Sequence, residues 1–383
     1  MQLPNFYEHY CPAKIIAGQR SLSNLPFEMG RFGTKRALVV IEEDIYKTGF
    51  INLLEQAFTD SELNIGQVFS RKNTRVTLGG AREIADLFRR SDCDCLIALG
   101  GGEAMDAVKS AAILIGANSG ELPSEERFSM TLPKIFAVPA AYAPGYPVTN
   151  LVELFDEGKK KSRYFFSDDL IARLVVLDPR LTLKTSASNR VAYAMDALAR
   201  SVEAIMEPEV NPIVLIYARA AIGLVVKNLE SALEEGKRER QADQALANAS
   251  LYAGIAFSHA SRGLIAATAQ GLNCITGMQT GIASSILLPH GFEMFSEKYG
   301  SQIGEAAGAF TSKRLSATES GVAAVRASLE ALQGVSPLPK RLHEAGIIES
   351  ELERVAEAVR ETPFYCESFF NSQDVAVLLE KAF

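Results

Sequence analysis

The sequence predicts an α/β amino-terminal domain on a mainly parallel sheet, residues 1–187, followed by an all-α helical domain, residues 188–383. Two observations predict it. In the first half, short apolar runs alternate with amphipathic stretches of helical spacing, the pattern of strand–helix units whose strands pair in parallel. From NRVAYAMDALARSVEAIM onward the spacing is helical and β-branched clusters are scarce.

The first half reads in order. RALVVIE (36–42) is a strand, and YKTGFINLLEQAFT after it has helical spacing. NIGQVFS is a second strand and GGAREIADLFRRS its helix. CLIAL (95–99) is a third strand, followed at once by GGGEAMDAVKSAAIL. KIFAVPA (134–140) is a fourth, and RLVVLDP (173–179) ends the pattern at a turn. The domain boundary is placed near 185–190. Beyond it Pro208, Pro212, Gly236, Gly277, Pro289, Pro337 and Pro339 mark helix breaks.

Composition narrows the partners. With 48% hydrophobic and 22% charged residues in 383, the chain has ordinary globular usage and enough length for a large core. A formal charge of −7 with scattered basic residues argues against nucleic acid or an anionic membrane as the main partner. The amino terminus shows no basic region followed by an apolar stretch, so a cytoplasmic protein is expected. Stretch 253–278 is weakly charged but carries Ser, Gln, Asn, His and Arg, and reads as core helices. The five cysteines show no framework spacing. Cys93 and Cys95 read as buried thiols of a reduced compartment.

The most informative local feature is Gly100-Gly101-Gly102-Glu103-Ala104-Met105-Asp106-Ala107-Val108-Lys109, a glycine turn between a strand and a helix. Such a turn lets backbone amides approach an anion, and the helix start adds its positive dipole end. At this point the chain resembles the iron-containing (group III) alcohol dehydrogenases, relatives of dehydroquinate synthase, whose pattern is GGGSxxDxAK. Further segments in the same order carry the resemblance: LDPRLTL (177–183), MDALARSVEA (195–204), ASLYAGIAFSHASRGL (249–264) and SSILLPHGFEMF (284–295).

The resemblance implies a Rossmann-like nucleotide domain, an NAD or NADP cofactor whose pyrophosphate lies at Gly100, Gly101 and Gly102, and a homodimer. Asp106, Lys109 and Thr149 fall on the cofactor-binding positions. It also implies a divalent metal in the helical domain, but three of its four ligand positions are changed. In the family helix motif MDALxHxxEA, Asp196 keeps the first ligand and Arg200 stands for the second. GLIAATAQGLN replaces GLVHxxxHxLG, so Ala266 and Gln270 stand where histidines are expected. Thr280 stands at the last ligand position, in QTGIASSILLPH for PHGxAxxILLPH. A guanidinium has no lone pair to offer a metal, and the remaining donors make a poor site, so no metal is expected.

Asp196 and Arg200 are four apart on one helix and able to pair. That pair either only satisfies charge, or Arg200 takes over the metal's charge toward an anionic substrate or a developing alkoxide. Arg200, Asp196, Gln270 and Tyr146 are the candidate catalytic residues.

The family's nicotinamide loop PTTxGTGSEVT reads PAAYAPGYPVT at 139–149, with Tyr142 and Tyr146 as new phenols that fill the pocket or act as acids. Glu103 replaces the serine after the glycines; it suits a first turn yet would repel a pyrophosphate. Glu42 and Glu43, ending the first strand, could accept from an adenosine ribose and favour NAD. His259, Lys160 and Lys161 are further proton-transfer candidates, though His259 reads more simply as a core residue and the lysines as a solvated turn.

Three functions follow: a metal-independent NAD(P)-dependent oxidoreductase for a small alcohol or aldehyde, an acidic one where Arg200 meets the substrate; a non-catalytic relative acting as a protein partner; and a non-redox enzyme of the dehydroquinate synthase branch.

Overall fold

The computed structural model describes residues 4–72, 75–117, 121–140, 146–182, 185–207, 210–234, 240–260, 263–299, 302–311, 319–365 and 369–383. Tyr142, Pro208 and Gly236, singled out in the sequence, lie outside them.

The chain divides into two compact units, Tyr10–Thr185 and Ser186–Phe383, with Met1–His9 grouped in the second. The division falls at 185/186 where the sequence suggested 187/188. The early residues join the helical unit through local contacts. Asn211 Nδ2 donates to the Glu8 carbonyl at 2.9 Å, and the His9 ring packs on the His259 ring, centroids 4.3 Å apart.

The α/β unit holds eight strands: β1 (Lys14–Ala17), β2 (Arg36–Glu42), β3 (Asn64–Arg71), β4 (Cys95–Gly100), β5 (Lys134–Pro139), β6 (Leu151–Asp156), β7 (Lys161–Phe166) and β8 (Leu174–Leu177). Six form one sheet in the order β1-β8-β5-β4-β2-β3, every neighbouring pair parallel. The four strands expected from residues 36–42, 64–70, 95–99 and 134–140 are all present, and 173–179 contains β8. Apolar side chains on both sheet faces explain the continuous runs: Leu38, Val39, Val40 and Ile41 are all buried.

The helices of this unit are α1 (Leu25–Arg31), α2 (Glu43–Lys47), α3 (Phe50–Phe58), α4 (Leu78–Arg90), α5 (Gly102–Gly116) and α6 (Pro179–Thr182). The helical spacing of 46–59 is realised as two helices, because Gly49 takes φ +79° between α2 and α3. Two packed clusters fill the unit, one on the six-stranded sheet and one between α4, α5 and the β6–β7 hairpin. One joins Leu25, Met29, Phe50 and Leu54 to Val39 and Ile97; the other joins Ala81, Ala85, Ile113 and Leu114 to Val152, Leu154 and Phe165.

In the sheet order, β2 feeds β3 on one side while β4 returns to the other side of β2. The carboxyl ends of β2 and β4 therefore flank the point where strand order reverses, the usual ligand crevice of an open parallel sheet. Residues Glu42 and Gly100 lie there.

The helical unit comprises α7 (Ala187–Met206), α8 (Pro212–Leu233), α9 (Arg240–Ala260), α10 (Leu264–Thr276), α11 (Thr280–Lys298), α12 (Ile303–Thr311), α13 (Glu319–Val335), α14 (Glu349–Val359) and α15 (Ser372–Ala382). Buried almost throughout, α7 is the central rod, packed by α8, α9 and α11. Its start is capped by Ser186, whose hydroxyl accepts from the Asn189 amide at 3.2 Å. One helix among the described residues, α8, is long and apolar enough to cross a membrane. It buries Val214, Ala218, Ile222, Val225 and Leu229 within its own unit while Arg219, Lys227 and Glu230 are exposed.

Candidate functional site

The glycine turn forms as the sequence predicts, with β4 ending at Gly100 and α5 starting at Gly102. The strand register sets Ile41 beside Leu99, so the next residue, Glu42, emerges next to the turn. Its carboxylate does not point out toward a ribose. Glu42 Oε1 accepts from the Gly101 amide at 2.8 Å and the Ala104 amide at 3.1 Å, and the residue is 8% exposed. The α5 amino terminus attracts an anion, and the nearest carboxylate of the chain answers that attraction. Burial pushes the Glu42 carboxyl up against the pull of those amides, and Glu103 adds to the rise.

Tyr146 covers the same turn. A Cβ placed on Gly102 would lie 2.8 Å from Tyr146 Cε2, so the ring rests directly on the glycine backbone. Glu103 is 52% exposed at its side chain and pairs with Arg71 at 3.2 Å, turned toward β3.

Lys109 and Thr149, both expected at cofactor-binding positions, are hydrogen-bonded to each other. Lys109 Nζ donates to the Thr149 carbonyl at 2.6 Å, to Thr149 Oγ1 at 3.1 Å and to the Leu151 carbonyl at 3.0 Å. With these three bonds the lysine staples α5 to the start of β6. Burial pulls its ammonium down and holds the Asp106 carboxyl well up, each set against the Coulomb attraction of the other. Asp106 Oδ1 is buried with no hydrogen-bond partner among the described residues. Lys160 occupies the β6–β7 turn at φ +54°, and Lys161 begins β7. Burial raises the Cys93 and Cys95 thiols, in line with inert core cysteines.

In the helical unit the expected pair exists. Arg200 Nε donates to Asp196 Oδ2 at 3.1 Å, and both residues are buried. The other carboxylate oxygen, Asp196 Oδ1, accepts from Ser284 Oγ of α11 at 2.7 Å. The guanidinium carbon lies 4.8 Å from the Phe257 ring centroid and 6.0 Å from that of Phe364. Two aromatic rings thus flank the cation in place of water. Sequence reasoning missed Ser284, Phe257 and Phe364, because only folding brings them to α7.

Sequence reasoning also passed over Glu203, one turn after Arg200. It is fully buried and accepts from the Ile265 amide at 2.6 Å and the Ala266 amide at 3.1 Å, capping the start of α10. Burial pushes its carboxyl up to about 8 against those bonds. A second acid within the apolar run of α7, after Asp196, was the available signal. Gln270 and Ala266 are buried on α10. His259 is tied through Nδ1 to the Ile255 carbonyl at 3.0 Å and stacked on His9.

A metal does not fit these residues. Both Asp196 oxygens are occupied by Arg200 and Ser284, Ala266 has no donor, and Arg200 brings positive charge. Among the described residues no group of three or more His, Cys, Asp or Glu converges. The backbone of the glycine turn does fit a dinucleotide pyrophosphate, by its place at the switch point and at a helix start; what occupies its amides is a single rotatable side chain, Glu42.

A parallel sheet with a glycine turn at its carboxyl edge, followed by a helical unit, defines the class. Residues 12–179 match the model of iron-containing alcohol dehydrogenase, and residues 190–383 that of the C-terminal domain of the Fe-containing alcohol dehydrogenase family. The chain belongs to the iron-containing alcohol dehydrogenase family.

Its relatives are named as alcohol dehydrogenases, one of them as NAD-dependent. It is 28% identical to 1,3-propanediol dehydrogenase of Klebsiella pneumoniae, over 98% of this chain and 99% of that protein. To the NAD-dependent methanol dehydrogenase of Bacillus methanolicus it is 24% identical, over 91% of each. The structure of sulfoacetaldehyde reductase from Bifidobacterium kashiwanohense in complex with NAD+ superposes with a TM-score of 0.85 at 20% identity, over 99% of both chains.

Proposed function

We propose that the protein is an NAD(P)-linked oxidoreductase for a small alcohol or aldehyde carrying an anionic group, working without a metal. The observation that carries this reading is the glycine turn at the switch point, in a chain with a relative named as NAD-dependent. When bound, the nicotinamide exchanges hydride with the substrate carbon. Arg200 supplies the positive charge at a former ligand position, held by Asp196 and Ser284 and flanked by Phe257 and Phe364. A fixed guanidinium orients a carboxylate, phosphate or sulfonate, or steadies an alkoxide, as a preorganised charge rather than as a Lewis acid. Gln270 offers a neutral amide where the family carries a histidine, a contact that does not titrate. The similar fold of a sulfoacetaldehyde reductase agrees with an anionic aldehyde.

The test pairs dinucleotide calorimetry with turnover. NAD+ or NADP+ is expected to bind, and Arg200→Met to lower hydride transfer to acid-bearing aldehydes by roughly a hundredfold or more while dinucleotide affinity holds, the scale of losing one oxyanion-type donor. Unchanged turnover in that variant would remove Arg200 from the chemistry.

A second reading, a non-catalytic partner protein, is favoured by the way Glu42 and Tyr146 cover the glycine turn. A clear hydride transfer refutes it. In either reading we place the protein as a homodimer; Phe6, 82% exposed, and Ile216, 67% exposed, are apolar surface of the helical unit that such an assembly would cover.

A further inference from the structure

We propose that Glu42 is a built-in competitor for the dinucleotide, closing the anion cradle of α5 and handing over to Arg71 when a phosphate enters. This rests on the dinucleotide reading above and adds a gate to it.

Three observations place the gate. Glu42 Oε1 takes the Gly101 and Ala104 amides, the donors that a pyrophosphate at this helix start would use. Gly100 leaves room for it, since a Cβ there would lie 3.0 Å from the Glu42 carboxyl carbon. The carboxylate is thus a stand-in anion, docked where the ligand's charge belongs. One receiver is at hand: Arg71 is the cross-strand register partner of Glu42 on β3, and its Nη1 donates to Glu103 at 3.2 Å.

The exchange follows from these positions. An incoming phosphate and the Glu42 carboxylate cannot share two amides, because both are anions. Rotation of the Glu42 side chain toward its neighbour on β3 brings it to Arg71, and Glu103, already half in water, gives up its share of that guanidinium. The closed state lowers apparent affinity in proportion to the small fraction of molecules that are open.

The experiment is calorimetry with ADP as probe on the full chain, for wild type, Glu42→Ala, Arg71→Met and the double variant, each checked for a native thermal transition. Glu42→Ala is expected to bind ADP about tenfold or more tightly than wild type, the gain set by how rarely the gate stands open. Arg71→Met should weaken ADP binding in the wild-type background and leave it unchanged in the Glu42→Ala background. Equal or weaker binding by Glu42→Ala overturns the gate and makes Glu42 an ordinary ligand or cap. An equal loss on Arg71→Met in both backgrounds overturns the hand-over, since Arg71 would then touch the phosphate itself. ADP tightening without any NAD-linked turnover would end the redox reading and leave the gate standing.

Discussion

Asp196→Ala destabilises the helical unit by about 3–5 kcal/mol, the cost of stranding a buried cation after its partner is removed. Arg200 has little access to water, and its faces are covered by Phe257 and Phe364. Without Asp196 the guanidinium loses its hydrogen-bonded carboxylate in the interior, and Glu203 is an acid still within electrostatic reach of it. Ser284 Oγ loses its acceptor in the same step. Adding Arg200→Met to the variant is expected to restore most of the loss, because removing both charges leaves an apolar pair of similar size. Urea unfolding of the two variants measures this. A loss below about 1 kcal/mol for Asp196→Ala, the range of exposed pairs, would show that Arg200 reaches water and that the pair carries little.

Gly263→Ala has an effect of the same order, for a different reason. Gly263 has φ −164°, an extended backbone open to any residue, so backbone strain is not the cost. A Cβ there would overlap the Glu203 carboxylate. Glu203 would have to withdraw and abandon the Ile265 and Ala266 amides at the start of α10. Overpacking costs about 1–3 kcal/mol and an unsatisfied buried group about 1–3 kcal/mol, so the expected loss is about 2–6 kcal/mol. Gly334→Ala in α13, where a Cβ meets nothing within 4 Å, is the control, expected to be neutral or slightly stabilising. Similar midpoints for the two variants would show that Glu203 yields without loss.

The sequence carried the sheet because its strands are buried on both faces and read as unbroken apolar runs, as in RALVVIE and CLIAL. It did not carry β1, whose four residues form a strand only by pairing with Leu174–Leu177, far along the chain. Nor did it show the β6–β7 hairpin, where Lys161 looked like part of a solvated turn and begins a strand.

The same division runs through the site. Asp196 and Arg200 were legible because both lie on one helix at a spacing that fixes their pairing. Ser284, 88 positions away from Asp196, was not, since only helix packing brings it near. Glu42 was legible as a strand-end acid, but its direction depends on a neighbouring helix start that local pattern cannot see. Lys109 and Thr149 were placed at cofactor positions by their motif, and their bond to each other was not legible there.

The central claim is that the chain supplies its own cation where its family relies on a metal. The most direct measurement is the iron and zinc content of protein purified without chelator, by plasma mass spectrometry, for wild type and Asp196→Asn. Far less than one equivalent of either metal per chain is expected in both proteins, with Arg200 holding the Asp196 carboxylate in wild type. About one equivalent in wild type, lost in Asp196→Asn, would contradict it, for a bound metal needs that carboxylate as a ligand.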